Sequence, residues 1–266
     1  MRLFLYSLLK GNTHENSFPP LEDFAPNEVH PRFYNPALGK NVGTASHQEM
    51  ADARMNAQMI ASVTSKDFLP VKTHHQAGYH LGQPTVNLSV TAGAIYIVRH
   101  PLDVALSFSA FNKQSLEETV KDMKRGSRYI LENPGAAYYY LGSWADHVES
   151  WTGTKSKGLH IVRYEDMVAN PLDAFTKVIR FLRLRFDEER IVEAIKAVEF
   201  SKLQKREAEH GYIENPALER QYFRKGKVGG WQEELSPEMA KAITKGSEDV
   251  MNRFGYDIPA VTRPAG

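Results

Sequence analysis

Three short apolar runs, at residues 68–71, 94–98 and 159–162, constrain the fold of this chain more than any other feature. Each leads quickly into a polar or helical stretch, and each reads as a buried strand. Helical patterns fill the intervals. Residues 48–62 carry Met55, Met59 and Ile60 on one stripe, taken as core. Tyr140, Trp144, Val148 and Trp151 recur at helical spacing, as do Leu172, Phe175, Ile179 and Leu182. Asn170 and Ser236 stand as N-caps before Pro171 and Pro237, and Met239, Ile243, Val250 and Phe254 mark the inward face of a last helix. Strands alternating with helices predict an α/β architecture: three layers, with a mainly parallel sheet and helices on both faces. A length of 266 residues suits a single domain spanning 1–266, large enough to fold without disulfide or metal.

Composition removes several function classes. Cys is absent, which excludes a disulfide framework, a thiolate zinc site, an Fe–S cluster and a cysteine nucleophile. Lys plus Arg number 33 against 32 for Asp plus Glu, so there is no broad cationic face for general nucleic-acid binding, while a local basic pocket stays open. No apolar run has the length of a membrane span. The opening Met1-Arg2-Leu3-Phe4-Leu5-Tyr6-Ser7-Leu8-Leu9 has the outline of a signal peptide, but Lys10-Gly11-Asn12 ends it and no small-x-small cleavage site follows. Leu5, Leu8 and Leu9 share one helical face instead, which predicts a buried helix from the first residues. A cytoplasmic protein is the expectation. Residues 13–46, rich in Pro, Asn, Phe and Gly, read as an excursion over the surface, either contacting substrate or merely packed.

In an open parallel sheet, ligands bind beyond the carboxyl ends of the strands. The first run ends in Lys72-Thr73-His74-His75, the second in Arg99-His100 before Pro101-Leu102-Asp103 opens a helix, and the third in Arg163-Tyr164-Glu165-Asp166. Cations at such a rim, beside the unpaired N–H groups of a helix start, suit a phosphate or sulfate ester. A second basic cluster, Arg224-Lys225-Gly226-Lys227, precedes Gly229-Gly230-Trp231, where glycines let backbone amides approach an anion. Either cluster alone reads as a solvated face. Their joint placement at strand ends favours an anion site. His74, His75 and His80 lack the His-Glu-x-x-His pattern and a carboxylate at a suitable offset, so no metal is expected.

Four segments together resemble the cytosolic-type sulfotransferases that depend on 3′-phosphoadenylyl sulfate (PAPS), particularly their bacterial members. They are Val71-Lys72-Thr73-His74, the stretch from Ile95-Tyr96-Ile97-Val98-Arg99-His100-Pro101 to Ser107, Val162-Arg163-Tyr164-Glu165-Asp166-Met167, and Phe223-Arg224-Lys225-Gly226-Lys227-Val228-Gly229-Gly230-Trp231. The resemblance implies a P-loop-NTPase-like sulfotransferase fold and transfer of a sulfuryl group from PAPS to a hydroxyl or amine of a small-molecule acceptor. The product would be PAP, and no metal would take part. It further implies that Arg99 and Ser107 bind the nucleotide's 3′-phosphate, and that Arg224, Lys225 and Gly226 close over it. Tyr164 would hydrogen-bond the adenine and Phe200 stack on that ring. His74 would be the general base, with Lys72 the cation beside the moving group. The segment bordering Phe223 contributes to dimers in some relatives, so a homodimer is among the implied partners.

The sequence also departs from the family pattern. The family's Pro-Lys-Ser-Gly-x-Thr-Trp loop, which holds the 5′-phosphosulfate, does not occur in it, and Arg2–Leu9 read like the segment that follows that loop. The expectation is a chain that lacks the N-terminal strand and loop, with a catalytically inactive nucleotide-binding relative as the alternative. Gly230 stands where the family usually has Asp, and Glu233 where Asn is commoner. A nucleotide kinase of similar topology would need a Gly-x-x-x-x-Gly-Lys-Ser/Thr loop, which the sequence also lacks. The acceptor has no motif. Residues 13–46, 76–90 and 112–135 would form its pocket, and Phe108, Phe111 and Tyr138 to Tyr140 belong either to that pocket or to the core.

Overall fold

The computed structural model describes residues 1–11, 17–65, 69–124, 129–131, 135–212 and 221–259. In chain order the elements are α1 (Arg2–Lys10), α2 (Leu21–Phe24), α3 (Pro31–Leu38), α4 (His47–Ser62), β1 (Tyr79–His80), β2 (Gln83–Pro84), β3 (Ala94–Val98), α5 (Pro101–Asn112), α6 (Leu116–Lys124), β4 (Tyr129–Leu131) and β5 (Tyr138–Tyr140). There follow α7 (Trp144–Thr152), β6 (Leu159–Arg163), α8 (Tyr164–Ala169), α9 (Pro171–Phe181), α10 (Glu188–Ala197), α11 (Phe200–His210), α12 (Trp231–Glu234), α13 (Pro237–Thr244) and α14 (Glu248–Arg253).

The Ile- and Val-rich runs of β3 and β6 form a parallel pair, in register from Ala94 opposite Leu159 to Val98 opposite Arg163. Because side chains alternate across a sheet, the pair is covered twice. Tyr96 and Val98 face α7 and α14, where Val98, Val148, Met251 and Tyr256 make a buried cluster. His160, on the opposite face, stacks on Phe181 of α9 at 5.4 Å. This is the α/β arrangement of parallel sheet and flanking helices that the sequence predicts. Among the described residues there are also two separate antiparallel pairs, β1 with β2 and β4 with β5. The first closes through Leu81 (φ 51°) and Gly82 (φ 75°), the two left-handed positions of a tight hairpin turn.

The expectation of a strand at residues 68–71 is corrected. Phe68 lies outside the described residues, and 69–71 form no strand. A single parallel bridge joins Asn27 to Lys72. The run contains Pro70, which has no N–H to give a ladder.

The helix at the chain start forms as expected. Phe4, Leu5 and Leu8 are buried against Phe175, Ile179 and Ile191 of α9 and α10. Burial of each such side chain stabilises by roughly 1.5–3 kcal/mol. Arg190 donates to the carbonyls of Ser7 (2.9 Å) and Leu8 (3.2 Å), a cation satisfying the last turn of α1. Within the 13–46 segment, the described residues 17–46 are not a surface excursion. Leu21, Ala25, Val29, Phe33, Tyr34 and Val42 are all buried, because α3 packs into α4 and supplies the aromatic bulk of that cluster. Residues 12–16 lie outside the described set.

The stripe assigned to core on α4 is corrected in part. Its buried face is Met50, Ala53, Ala57 and Ala61, the alanines letting α3 approach; Ile60 packs against that cluster as expected, while Met59 is 43% exposed. A Ser46–Glu49 capping box starts that helix. Tyr140 belongs to β5 and not to the helix of Trp144, Val148 and Trp151. Asn170 caps α9 and Ser236 caps α13 as predicted. The last helical pattern is two helices, broken between them at Gly246 (φ 83°). Among the described residues no helix is long and apolar enough to cross a membrane.

Candidate active site

A cavity of about 960 Å³ opens at the carboxyl ends of β3 and β6, and Lys72, His74, Arg99, Ser107, Tyr164, Phe200, Arg224, Lys225 and Gly226 all line it. Residues far apart in sequence are therefore brought to one cavity. His75 and His100 stay out of that lining and do structural work instead.

β3 delivers Arg99, and the turn after it is fixed. His100 caps α5 by accepting from the Leu102 amide (3.2 Å), its other ring nitrogen meets the Asp257 carbonyl (3.1 Å), and burial pushes its pKa down. Pro101 then starts α5, which carries Ser107 back over the strand end. Arg99 Nη1 donates to Ser107 Oγ at 2.9 Å and Nη2 to the Lys227 carbonyl at 3.0 Å. Its guanidinium lies 4.3 Å from the centre of the Tyr164 ring, a cation–π contact. The Tyr164 hydroxyl donates to the Gly226 carbonyl (3.5 Å), and burial raises its pKa, so it remains a neutral donor.

Residues 224–231 are held by a carboxylate whose role is not visible in sequence. Asp103, 1% exposed, accepts from the amides of Gly229 (2.8 Å) and Trp231 (3.1 Å). Gly226 sits at φ 57°, and a Cβ there would fall 2.6 Å from the Phe200 ring. Glycine is thus demanded by both conformation and contact. Gln204 of α11 donates to the carbonyls of Phe223 (2.9 Å) and Arg224 (2.8 Å). The result is a backbone cradle of fixed shape bearing Arg224 and Lys225.

The segment with Lys72 and His74 is clamped differently. Lys72 exchanges backbone bonds with Pro26 and Glu28 (2.8 and 3.0 Å). His75, fully buried, accepts from the Tyr140 amide at Nδ1 (3.0 Å) and meets the Glu28 carboxylate at Nε2 (2.9 Å), which assigns its proton to Nε2. Trp151 donates to the His75 carbonyl (2.9 Å). His147 bridges Tyr96 Oη (2.9 Å) and the His74 carbonyl (3.1 Å), and burial pushes its pKa down to about 4, so it stays neutral. The His74 ring meets Tyr139 edge-on at 5.1 Å.

One turn of α7 ties the two halves together. Trp144 donates to the Arg99 carbonyl (3.2 Å) and His147 meets the His74 carbonyl three residues later. Trp144, Tyr96, His147, Asp103 and Glu234 also line the cavity. Their signal in the sequence was slight: Asp103 falls one helical turn after Arg99, and Trp144 and His147 share a helix face. Phe108 and Phe111 line the cavity too, whereas Tyr138 and Tyr139 are wholly buried core. Among the described residues no group of three His, Cys, Asp or Glu is placed to hold a metal ion.

Residues 10–255 match the family model described as the sulfotransferase domain. The chain belongs to the sulfotransferase domain family. Cytosolic sulfotransferase 12 of Arabidopsis thaliana is 27% identical over 185 residues, covering 66% of this chain and 55% of the relative. The 3-beta-hydroxysteroid sulfotransferase of Cavia porcellus is 26% identical over 167 residues, 61% of this chain and 57% of the relative. The chain thus spans about half the length of the curated relatives it matches. A solved retinol dehydratase, in complex with androsterone and inactive cofactor PAP, superposes with a TM-score of 0.63 at 19% identity. It covers 98% of this chain and 78% of its own. A mouse sulfotransferase complexed with PAP gives 0.52 at 19% identity, over 76% of this chain and 74% of its own. In this sulfotransferase domain, Arg99, Ser107, residues 224–226, Lys72 and His74 all border the same cavity.

Proposed function

We propose that this chain moves the sulfuryl group of PAPS to a hydroxyl or amine of a small-molecule acceptor, leaving PAP. The observation that carries this reading is the meeting of Arg99, Ser107 and the 224–226 loop on a cavity that also presents Lys72 and His74. The solved proteins of this fold that are PAP complexes support the choice of nucleotide. PAPS, when bound, supplies a sulfuryl group on a phosphate leaving group.

Arg99 Nη1 and Ser107 Oγ would hold the 3′-phosphate, a planar guanidinium and a hydroxyl being a good match for its oxygens. Arg224, Lys225 and the Gly226 amide close over it from the loop. Tyr164 would turn its hydroxyl from the Gly226 carbonyl to the adenine, and Phe200, flat against the loop backbone, offers that ring a stacking surface. His74 takes the acceptor's proton at a ring nitrogen, which suits an imidazole near neutral pH. Lys72 supplies positive charge where the transferring group develops negative charge. In-line transfer of this kind depends on positioning and charge stabilisation, as phosphoryl transfer does. The Pro-Lys-Ser-Gly-x-Thr-Trp loop is not in the given residues, so none of them is assigned to the 5′-phosphosulfate. Phe108, Phe111 and Trp144 give the acceptor an apolar wall.

Calorimetric titration with PAP, and with AMP as the control lacking a 3′-phosphate, tests the nucleotide site. PAP should bind in preference to AMP, and Arg99→Ala should abolish that preference. A folded chain that treats the two alike overturns the reading. For the reaction, PAP release from PAPS in the presence of an acceptor panel should fall at least about a hundredfold in His74→Ala, the usual scale for removing a general base.

A further inference from the structure

The cations assigned to the 3′-phosphate already face a carboxylate of the chain itself. Glu234 takes Lys225 Nζ on Oε1 at 2.9 Å and Arg224 Nη1 on Oε2 at 3.2 Å, so its two oxygens fork across both. Its neighbour Glu233 contacts Lys227. Both acids sit on α12, the turn that begins where Asp103 fixes the end of the loop. Glu234 borders the cavity and is 27% exposed in its side chain. Lys225 first, then Arg224, holds its carboxyl below the usual range, so it is charged at neutral pH.

We propose that Glu234 is an affinity-setting residue for the nucleotide, an internal anion that a 3′-phosphate must displace from Arg224 and Lys225. The inference rests on the reading of the 3′-phosphate site given above. A phosphate monoester brings up to two charges and three oxygens, against one charge and two oxygens for a carboxylate, so the exchange favours the ligand. Partly exposed ion pairs such as these are weak and open readily. Asp103 and Gln204 hold the loop backbone, so a rotation of the Glu234 side chain is all that the exchange requires. The bound nucleotide is therefore held less tightly than bare cations would hold it. Donor and product share the 3′-phosphate, and a product held too tightly slows turnover, so Glu234 favours release. AMP has no 3′-phosphate and does not meet the competing carboxylate.

The test is calorimetry and stopped-flow dissociation on the full chain, with PAP and AMP as probes, for wild type, Glu234→Gln and Glu234→Asp. Glu234→Gln should bind PAP about five- to tenfold more tightly, mostly through slower dissociation, and AMP within about twofold of wild type. Glu234→Asp keeps the charge and should stay near wild type. Melting curves matching wild type show that the variants fold. If wild type prefers PAP to AMP and Glu234→Gln gains nothing, the proposal alone is overturned. Weaker PAP binding in Glu234→Gln also overturns it, and makes Glu234 a residue that positions the two cations. No PAP preference in any folded variant overturns the site reading, and this inference with it.

Discussion

Two segments that line the same cavity are held by opposite means. Residues 72–76 are tied by backbone bonds and by a buried His75–Glu28 pair whose members are 0% and 5% exposed. Residues 224–228 keep a rigid backbone but tie their cations with part-exposed carboxylates, Glu233 and Glu234. Buried pairs are costly to break, and exposed ones open with little loss. The candidate base is thus mounted on a preorganised support, while the cations proposed to meet the 3′-phosphate are left exchangeable. A transfer site needs both, since geometry must survive each turnover and nucleotide must leave after it.

The strongest way to break the comparison is His75→Leu. It takes the partner from one oxygen of the buried Glu28 carboxylate, leaving Gln58 on the other (2.8 Å), and should cost about 3 kcal/mol by urea denaturation. Adding Glu28→Leu should recover a large part of that loss, since a buried pair is often replaced by apolar groups at little cost. No recovery would mean that the bond from the Tyr140 amide, and not the His75–Glu28 contact, holds the segment. Arg99→Ala comes next: PAP affinity should drop about a hundredfold, consistent with losing charged hydrogen bonds worth about 1.5–3 kcal/mol. A loss of less than about threefold would move the anion site away from the end of β3.

Gly226→Ala sharpens the loop side of the contrast. The left-handed φ and the Phe200 ring both oppose a methyl, so PAP affinity should fall by about tenfold with the fold intact. Unchanged affinity would show that the loop backbone moves freely, contrary to a fixed cradle. Acid provides the smallest and most graded test. Burial pushes His80 and His147 down to about 4, from 6.5 when unfolded. Between those values the unfolded chain binds protons that the folded one refuses, so stability falls as pH drops through the window and levels off below it. Tm at pH 5 should lie a few degrees below Tm at pH 7. A level profile would mean that the His147 bridge to His74 accepts a proton without breaking.

Much of the site was legible because its chemistry is local. Arg99 and Ser107 stand one strand end and two helical turns apart, and Pro101 announces the helix that brings them together. Residues 224–226 pair cations with a glycine, which few other roles require. Helix caps at Asn170 and Ser236 were equally plain, each needing only its own turn. The misreadings have a common cause. Met55, Met59 and Ile60 looked like core because they are large and periodic; of these Ile60 packs against the α3–α4 cluster, whose face on α4 is otherwise lined with alanine. Residues 13–46 looked like a surface loop because Pro and Asn punctuate them, while Phe33 and Tyr34 fill a core whose other walls lie far along the chain.

The strands at 94–98 and 159–162, the helices that flank them and the basic residues at their carboxyl ends were thus readable in the sequence, because period, turn chemistry and charge act over a few residues. Only the tertiary structure decided that Asp103 anchors residues 229–231, that Glu28 meets His75, that α7 spans the Arg99 and His74 carbonyls, and that Glu234 reaches Arg224 and Lys225. Most of these contacts join residues with tens of positions or more between them, and even Glu234 meets its cations only because the loop turns back. Their energy comes from burial and charge pairing that exist only once the chain has closed on itself.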